Sequence, residues 1–314
     1  MALGLMATVA AFSLNPVADA QEMLTYDFMQ YAFMAGTAMS LLGGFVGYFV
    51  VLRRAVFAGE ALSHVAFAAV LGATVAGFDP LAGLLIITVG VALAMGVLSG
   101  RTRTRDVTVG IVLAWILGLG ALFLSIYTTS SSGGNAQVGV NALFGSILGL
   151  DLRQTQEAVV VAAAAAVVLL VIARPLLFAS IDPDVAAARG LPVALLGTLF
   201  LGVVAITVAE GVQVIGALLI LALLVTPAAI ALRLTARPFR AMILSALLGL
   251  VFTWAGLTLG FYEPYPVSFF ITALAFGSYV LTVVGQYVAR NRGRLLPARG
   301  TVALSGEQAA RHER

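Results

Sequence analysis

Cysteine and lysine are both missing from the 314 residues. Without cysteine there is no disulfide framework, no thiolate metal site and no cysteine nucleophile. Without lysine there is no Walker A loop, because that motif needs its lysine to reach the β- and γ-phosphates of a nucleotide. If the protein works with ATP, another polypeptide hydrolyses it. Charge is scarce as well, at 10% of residues, against about 25% in a soluble domain. Histidine occurs twice, at His64 and His312.

What fills the chain is apolar. Hydrophobic residues make up 61% of it and the mean hydropathy is +1.07. A soluble domain of this size cannot hide that much apolar surface, so the composition points to a polytopic helical membrane protein, all-α in class. A transmembrane barrel is excluded, because its strands alternate apolar and polar residues. The net charge of +3 comes with 17 basic residues, all of them arginine. They fall at the ends of apolar runs, which makes them topology determinants facing the cytoplasm and leaves no case for nucleic acid as a partner.

Apolar runs long enough to span occur at 28–52, 58–77, 80–99, 107–127, 156–176, 191–210, 213–234, 241–261 and 266–288. Eight or nine spans are expected. Every second break carries arginine (Arg53-Arg54; Arg101, Arg103 and Arg105; Arg174 to Arg189; Arg233, Arg237 and Arg240; Arg290 onward), while the alternate breaks carry acids or neutral residues. This alternation starts the first span outside and leaves the C-terminus inside an inner membrane. Arg153 breaks the rule, with Asp151 or Glu157 at hand to pair with it. The organisation is then an N-terminal extension over 1–27, a membrane-spanning bundle over 28–289 and a polar cytoplasmic tail over 290–314, expected to be disordered. The first 20 residues end in Ala18-Asp19-Ala20 like a cleavage site but lack the basic start of a signal peptide. Residues 138–150 are too short to span and too apolar for a plain loop, so they should pack on protein at the outer side. The runs 191–210 and 213–234 are separated by so little that a tight outer hairpin is expected there. In the first span, Gly43, Gly44 and Gly47 are spaced for close helix packing.

Inside the second run, "AGEALSHVAF" places Glu60 and His64 four residues apart, on one face of a helix. Ionisable side chains within a membrane are rare and mark ion or proton pathways. A carboxylate with a neutral imidazole is a partial shell for a first-row divalent metal, oxygen suiting Mn²⁺ and imidazole suiting Zn²⁺. Two other readings stand beside it on spacing alone: a structural clamp, with Glu60 paired to His64 or to Arg53 and Arg54, and a proton relay.

The wider stretch "VVLRRAVFAGEALSHVAFAAVLG" resembles the permease subunits of ABC importers for zinc, manganese and iron. The likeness holds at Arg53, Arg54, Gly59, Ala61, Leu62, Ser63 and His64, and departs at Glu60, where that family usually has aspartate. "LFGSIL" at 143–148, "IDPDVAAARGLPV" at 181–193 and "VIGALLILALLVTPAAIALRL" at 214–234 are similar to further family segments in the expected order. The resemblance implies a membrane-spanning importer subunit and no enzyme. It implies that Glu60 and His64 hold the transported ion (Mn, Zn or Fe) and that no cofactor is bound permanently. It also implies cytoplasmic ABC ATPase subunits, an extracytoplasmic solute-binding protein and a permease homodimer, with lipid around them.

Four further stretches carry candidates. In 181–193, Asp182 suits an N-cap, Pro183 the first helical position and Gly190 the C-terminal cap, giving a helix of about seven residues on the arginine side. The resemblance gives that helix the coupling role toward the ATPase, with Asp182, Asp184 and Arg189 as its residues; an ordinary capped connector is the plainer alternative. Glu210 and Glu263 are candidate outer-gate carboxylates. For Glu210 the plainer alternative is solvation at the outer interface, and for Glu263 an anchoring turn among Tyr262 and Tyr265. Thr226-Pro227 lies inside a span and is expected to loosen it. The rival functions are an ABC permease for a metal chelate or cobalamin, which would have no need of Glu60 and His64, and a proton-coupled secondary metal transporter, which should show inverted repeats.

Overall fold

The structure is a computed structural model that describes residues 21–98, 105–129, 145–263 and 265–295. Residues 1–20, the loop at 130–135, residues 138–144 and the tail from 296, His312 included, lie outside the described residues. Every apolar run becomes a helix. They are α1 (Asp27–Leu52), α2 (Val56–Val75), α3 (Pro80–Leu98), α4 (Arg105–Thr129), α5 (Leu152–Ile181), a short α6 (Pro183–Ala188), α7 (Val193–Ile215), α8 (Ala217–Leu234), α9 (Pro238–Tyr262) and α10 (Val267–Leu295). Eight of these are long and apolar enough to cross a membrane; α8 offers a shorter apolar stretch, Leu219–Leu234. The described residues contain no β-strand.

Local chemistry sets the boundaries. Asp151 caps α5 by accepting from the Gln154 backbone N–H at 2.7 Å, and the Gln154 side chain accepts from the Asp151 N–H at 3.2 Å, closing a capping box. Arg153 pairs with Glu157 at 2.8 Å, which resolves the misplaced arginine. Between α2 and α3, Gly77 takes a left-handed φ of 74° and Asp79 accepts from the Ala82 N–H at 2.9 Å. The turn from α1 to α2 ends the helix with a Schellman pair, Ala55 N–H to the Val50 carbonyl and Arg54 N–H to the Val51 carbonyl. The left-handed position there, φ 53°, is held by Arg54 where glycine is usual.

α1, α2 and α7 are the most enclosed spans, whereas α3, α4 and α10 turn large apolar side chains such as Ile86, Trp115, Phe276 and Leu281 outward. Exposed apolar faces of that length are what lipid contact requires. α1 packs on α9, α5 and α8. Small residues allow it: a methyl at Gly44 would strike the backbone of Ala246, and one at Gly47 the Leu224 carbonyl oxygen. At Gly43 there is open space, so that glycine does not serve the packing expected of it. Ser40 on α1 donates to Thr253 on α9 at 2.6 Å within the core.

The hairpin expected near Glu210 forms later. α7 continues to Ile215 and the chain reverses at Gly216, φ 92°, straight into α8. Gly145, also left-handed at φ 76°, lays its backbone on Ile215 and Gly216, and Ile147 behind it is buried. The described part of the 138–150 segment therefore packs on protein, over the α7–α8 turn. α8 runs unbroken through Pro227. At the same end, Tyr26 meets Phe28 and Phe261 in tilted ring pairs, and Phe270 meets Tyr265 and Phe269 edge to face.

Candidate functional site

Two residues beyond Arg54 the chain re-enters a helix, and Glu60 and His64 follow in successive turns of α2. Most of α2 around them is sealed, with Gly59, Ala61, Leu62, Ser63 and Val65 buried. The side chains of Glu60 and His64 keep 35% and 20% of their surface, so this face of α2 opens where the rest is closed. Glu60 Oε1 and His64 Nε2 are 3.3 Å apart. Ser63 donates to the Glu60 carbonyl at 2.8 Å, and Leu221 of α8 lies against Gly59.

The 3.3 Å separation has a coordination consequence. Two donors that far apart, each about 2.1 Å from a common ion, subtend about 100° there, between the tetrahedral angle and an octahedral edge. The pair can thus act as two neighbouring ligands without a change of backbone. No third histidine, aspartate or glutamate joins them among the described residues. Water, or groups supplied by other chains, would complete the shell. Such a shell releases its ion more readily than a closed four-ligand cage.

Arg53, read from sequence as a topology signal, has a structural task. It donates to Ser180 Oγ at 2.9 Å, and its guanidinium lies 5.7 Å from the Phe200 ring centroid. Nothing in the spacing of Arg53-Arg54 announces that contact, because Ser180 and Phe200 come from α5 and α7.

The coupling candidates come together around α6, which has six residues. Asp182 accepts from the Val185 N–H at 3.0 Å as its N-cap, Pro183 opens it, and Gly190 closes it at φ 81°. Ala186 is buried against the bundle, while Asp184 and Val185 face outward. Arg189 is exposed, but its guanidinium stacks over Phe178 at 5.4 Å. Asp182 is occupied in capping and Arg189 leans on α5, which leaves Asp184 as the outward polar side chain without a bonded partner among the described residues.

The two outer-gate candidates part company. Glu263 is exposed at the end of α9. Glu210 is not solvated at an interface: it is 1% exposed inside α7, and neither carboxylate oxygen has a hydrogen-bond partner among the described residues. Burial inside the helix, five residues ahead of the last one, removes it from the turn where the acid seemed to belong.

The chain is 30% identical over 241 residues to an uncharacterized membrane protein of Synechocystis, covering 76% of this chain and 84% of that one. It is 28% identical over 240 residues to the manganese transport system membrane protein MntC of Halalkalibacterium halodurans, covering 75% and 80%. The fold matches the solved structure of PsaBC from Streptococcus pneumoniae in complex with Fab, with a TM-score of 0.74 at 23% identity over 85% of this chain and 94% of that chain. The sequence profile of the ABC 3 transport family matches residues 25–286, so the chain belongs to that family.

Proposed function

We propose that the protein is the membrane-spanning subunit of an ATP-driven importer of divalent transition metal ions, with Glu60 and His64 as the ion's ligands in transit. The observation that carries this reading is the partly open Glu60–His64 pair, 3.3 Å apart among buried neighbours on a helix of a chain in this family. Manganese is the leading cargo, because a relative is named for it and a carboxylate suits it. Zinc and iron are accepted by the same donors.

In this reading two copies form the pathway. Separate ATPase subunits dock on α6 at the arginine-rich end, and a solute-binding protein delivers the ion at the other. Without lysine the chain has no Walker A loop, which supports nucleotide hydrolysis on a partner chain.

The test is uptake into vesicles holding the permease with its partner ATPase. Mn²⁺ should enter only with ATP, and Glu60→Ala or His64→Ala should abolish entry while the protein still assembles. ATP-independent uptake, or full uptake in both variants, would overturn the proposal.

A further inference from the structure

Glu210 has no part in the proposed function so far, yet an ionised carboxylate without a partner in an apolar interior costs several kcal/mol. An intramembrane acid in that position is a candidate ion site by default. Two other buried side chains with unbonded polar atoms lie on the helices that α7 packs against: Thr88 on α3 and Thr155 on α5, both 0% exposed.

Close contacts set the heights of these groups along the bundle. Gly202 of α7 meets Leu93 of α3, and Gly83 of α3 meets Ala73 of α2. Following those antiparallel registers puts His64 level with about residue 203 of α7, so Glu210 lies roughly 10 Å nearer the outer end at 1.5 Å per residue. The same registers put Thr88 about one turn inward of Glu210. α5 meets α7 where Val161 and Ala164 share a groove with Val203 and Ile206, which puts Thr155 about one turn outward. Glu157 lies two residues beyond Thr155 on α5, the helix that packs on α7. Its own partner, Arg153, lies toward the outer end and is largely exposed.

We propose that Glu210 is a second cation station, outward of the Glu60–His64 pair and flanked along the axis by the hydroxyls of Thr155 and Thr88. It offers oxygen donors alone, a hard set that suits a divalent ion such as Mn²⁺ still carrying part of its water. The station is shut in this arrangement: Gly145 covers the α7–α8 turn and Ile220 covers Gly211. An ion reaches it when that turn is uncovered from outside, then passes to the mixed oxygen–nitrogen pair below. This inference rests on the metal-import reading for its cargo.

Equilibrium binding of Mn²⁺ to the permease assembled with its ATPase in lipid nanodiscs tests it. Two ions per chain are expected for the unaltered protein, one for Glu210→Gln, one for the Glu60→Ala/His64→Ala double variant and none when all three are changed. If Glu210→Gln binds as many ions as the parent, or melts higher and transports fully, Glu210 is a buried neutral acid and the proposal falls. If the double variant still binds two ions, the Glu60–His64 reading fails and this one stands. Should Glu210→Gln not assemble, Thr88→Val with Thr155→Val replaces it. There the second ion should bind about 10-fold more weakly, the loss of roughly 1.4 kcal/mol of hydrogen-bond-scale contact, and unchanged binding would overturn the station.

Discussion

Arg53 donates to Ser180 Oγ at 2.9 Å while its guanidinium lies over the ring of Phe200, so the turn that leads into α2 is fastened to the last turn of α5 and to α7. α5 runs almost directly into α6. A push on α6 therefore has a short mechanical route to the start of α2, about one turn before Glu60. Arg53→Ala should destabilise the bundle by about 1–3 kcal/mol, from the hydrogen bond and the cation–π contact together. It should also lower ATP-driven uptake more than ATP hydrolysis. Arg53→Lys should recover little, because an ammonium cannot stack and reach Ser180 as a planar fork does. Melting in detergent and the ratio of ions moved to ATP consumed are the readouts; an unchanged ratio would break the link.

Glu60 holds its Oε1 3.3 Å from His64 Nε2. Glu60→Asp withdraws the carboxylate by about one bond length and opens the angle the two donors subtend at an ion. Uptake should persist, with the preference between Mn²⁺ and Zn²⁺ shifted by up to about 10-fold, since geometry more than affinity separates these metals. Glu60→Gln keeps the size and loses the charge, and should reduce uptake by about 10- to 100-fold, the worth of a charge-assisted contact. Competition uptake with both metals distinguishes the two outcomes. Equal effects of both changes would mean that shape, and not charge, is what position 60 supplies.

The coupling reading of α6 divides its residues into a cap and a contact. Asp182→Ala removes the hydrogen bond to Val185 and should cost about 1 kcal/mol, enough to fray a helix of six residues. Asp182→Ser should behave like the parent, because serine caps nearly as well. Asp184→Ala leaves the cap and the packed Ala186 alone, so it should alter stimulation of the ATPase without changing the melting temperature. Equal loss of ATPase stimulation in Asp182→Ala and Asp182→Ser would mean that the carboxylate itself touches the partner.

All the long helices were legible because nothing but a spanning helix uses 20 apolar residues in a row, and their arginine-rich ends follow from charge alone. The cap of α6 was legible too, since Asp-Pro and a later glycine fix both ends by local chemistry. The turn between α7 and α8 was misplaced for a physical reason. Setting it at Glu210 assumes that an acid must reach water, whereas the chain reverses at Gly216, the residue able to adopt φ 92°, and leaves the acid inside. Long-range partners were out of reach: Ser180 and Phe200 stand far from Arg53 in sequence, and no spacing rule connects them. The Glu60–His64 pair was visible as an i, i+4 motif, while its partial opening depends on which helices pack over α2.

Gly47 offers the sharpest test of the packing that holds α1 in place. A methyl built there would fall on the carbonyl oxygen of Leu224, a backbone atom of α8 that cannot rotate aside. Gly47→Ala must then push α1 and α8 apart along a contact that also supports the inner half of the bundle. The cost should exceed about 3 kcal/mol, at the upper end for overpacking, and the variant should be recovered in low yield and as a mixture of sizes. Gly43→Ala is the matched control on the same helix. Its methyl meets nothing within 4 Å, so it should fold normally and gain up to about 1 kcal/mol from the better helix propensity of alanine. Size-exclusion profiles and melting temperatures of the two variants, measured in one detergent, decide the matter. If Gly47→Ala behaves like Gly43→Ala, α1 and α8 are not in the close contact described.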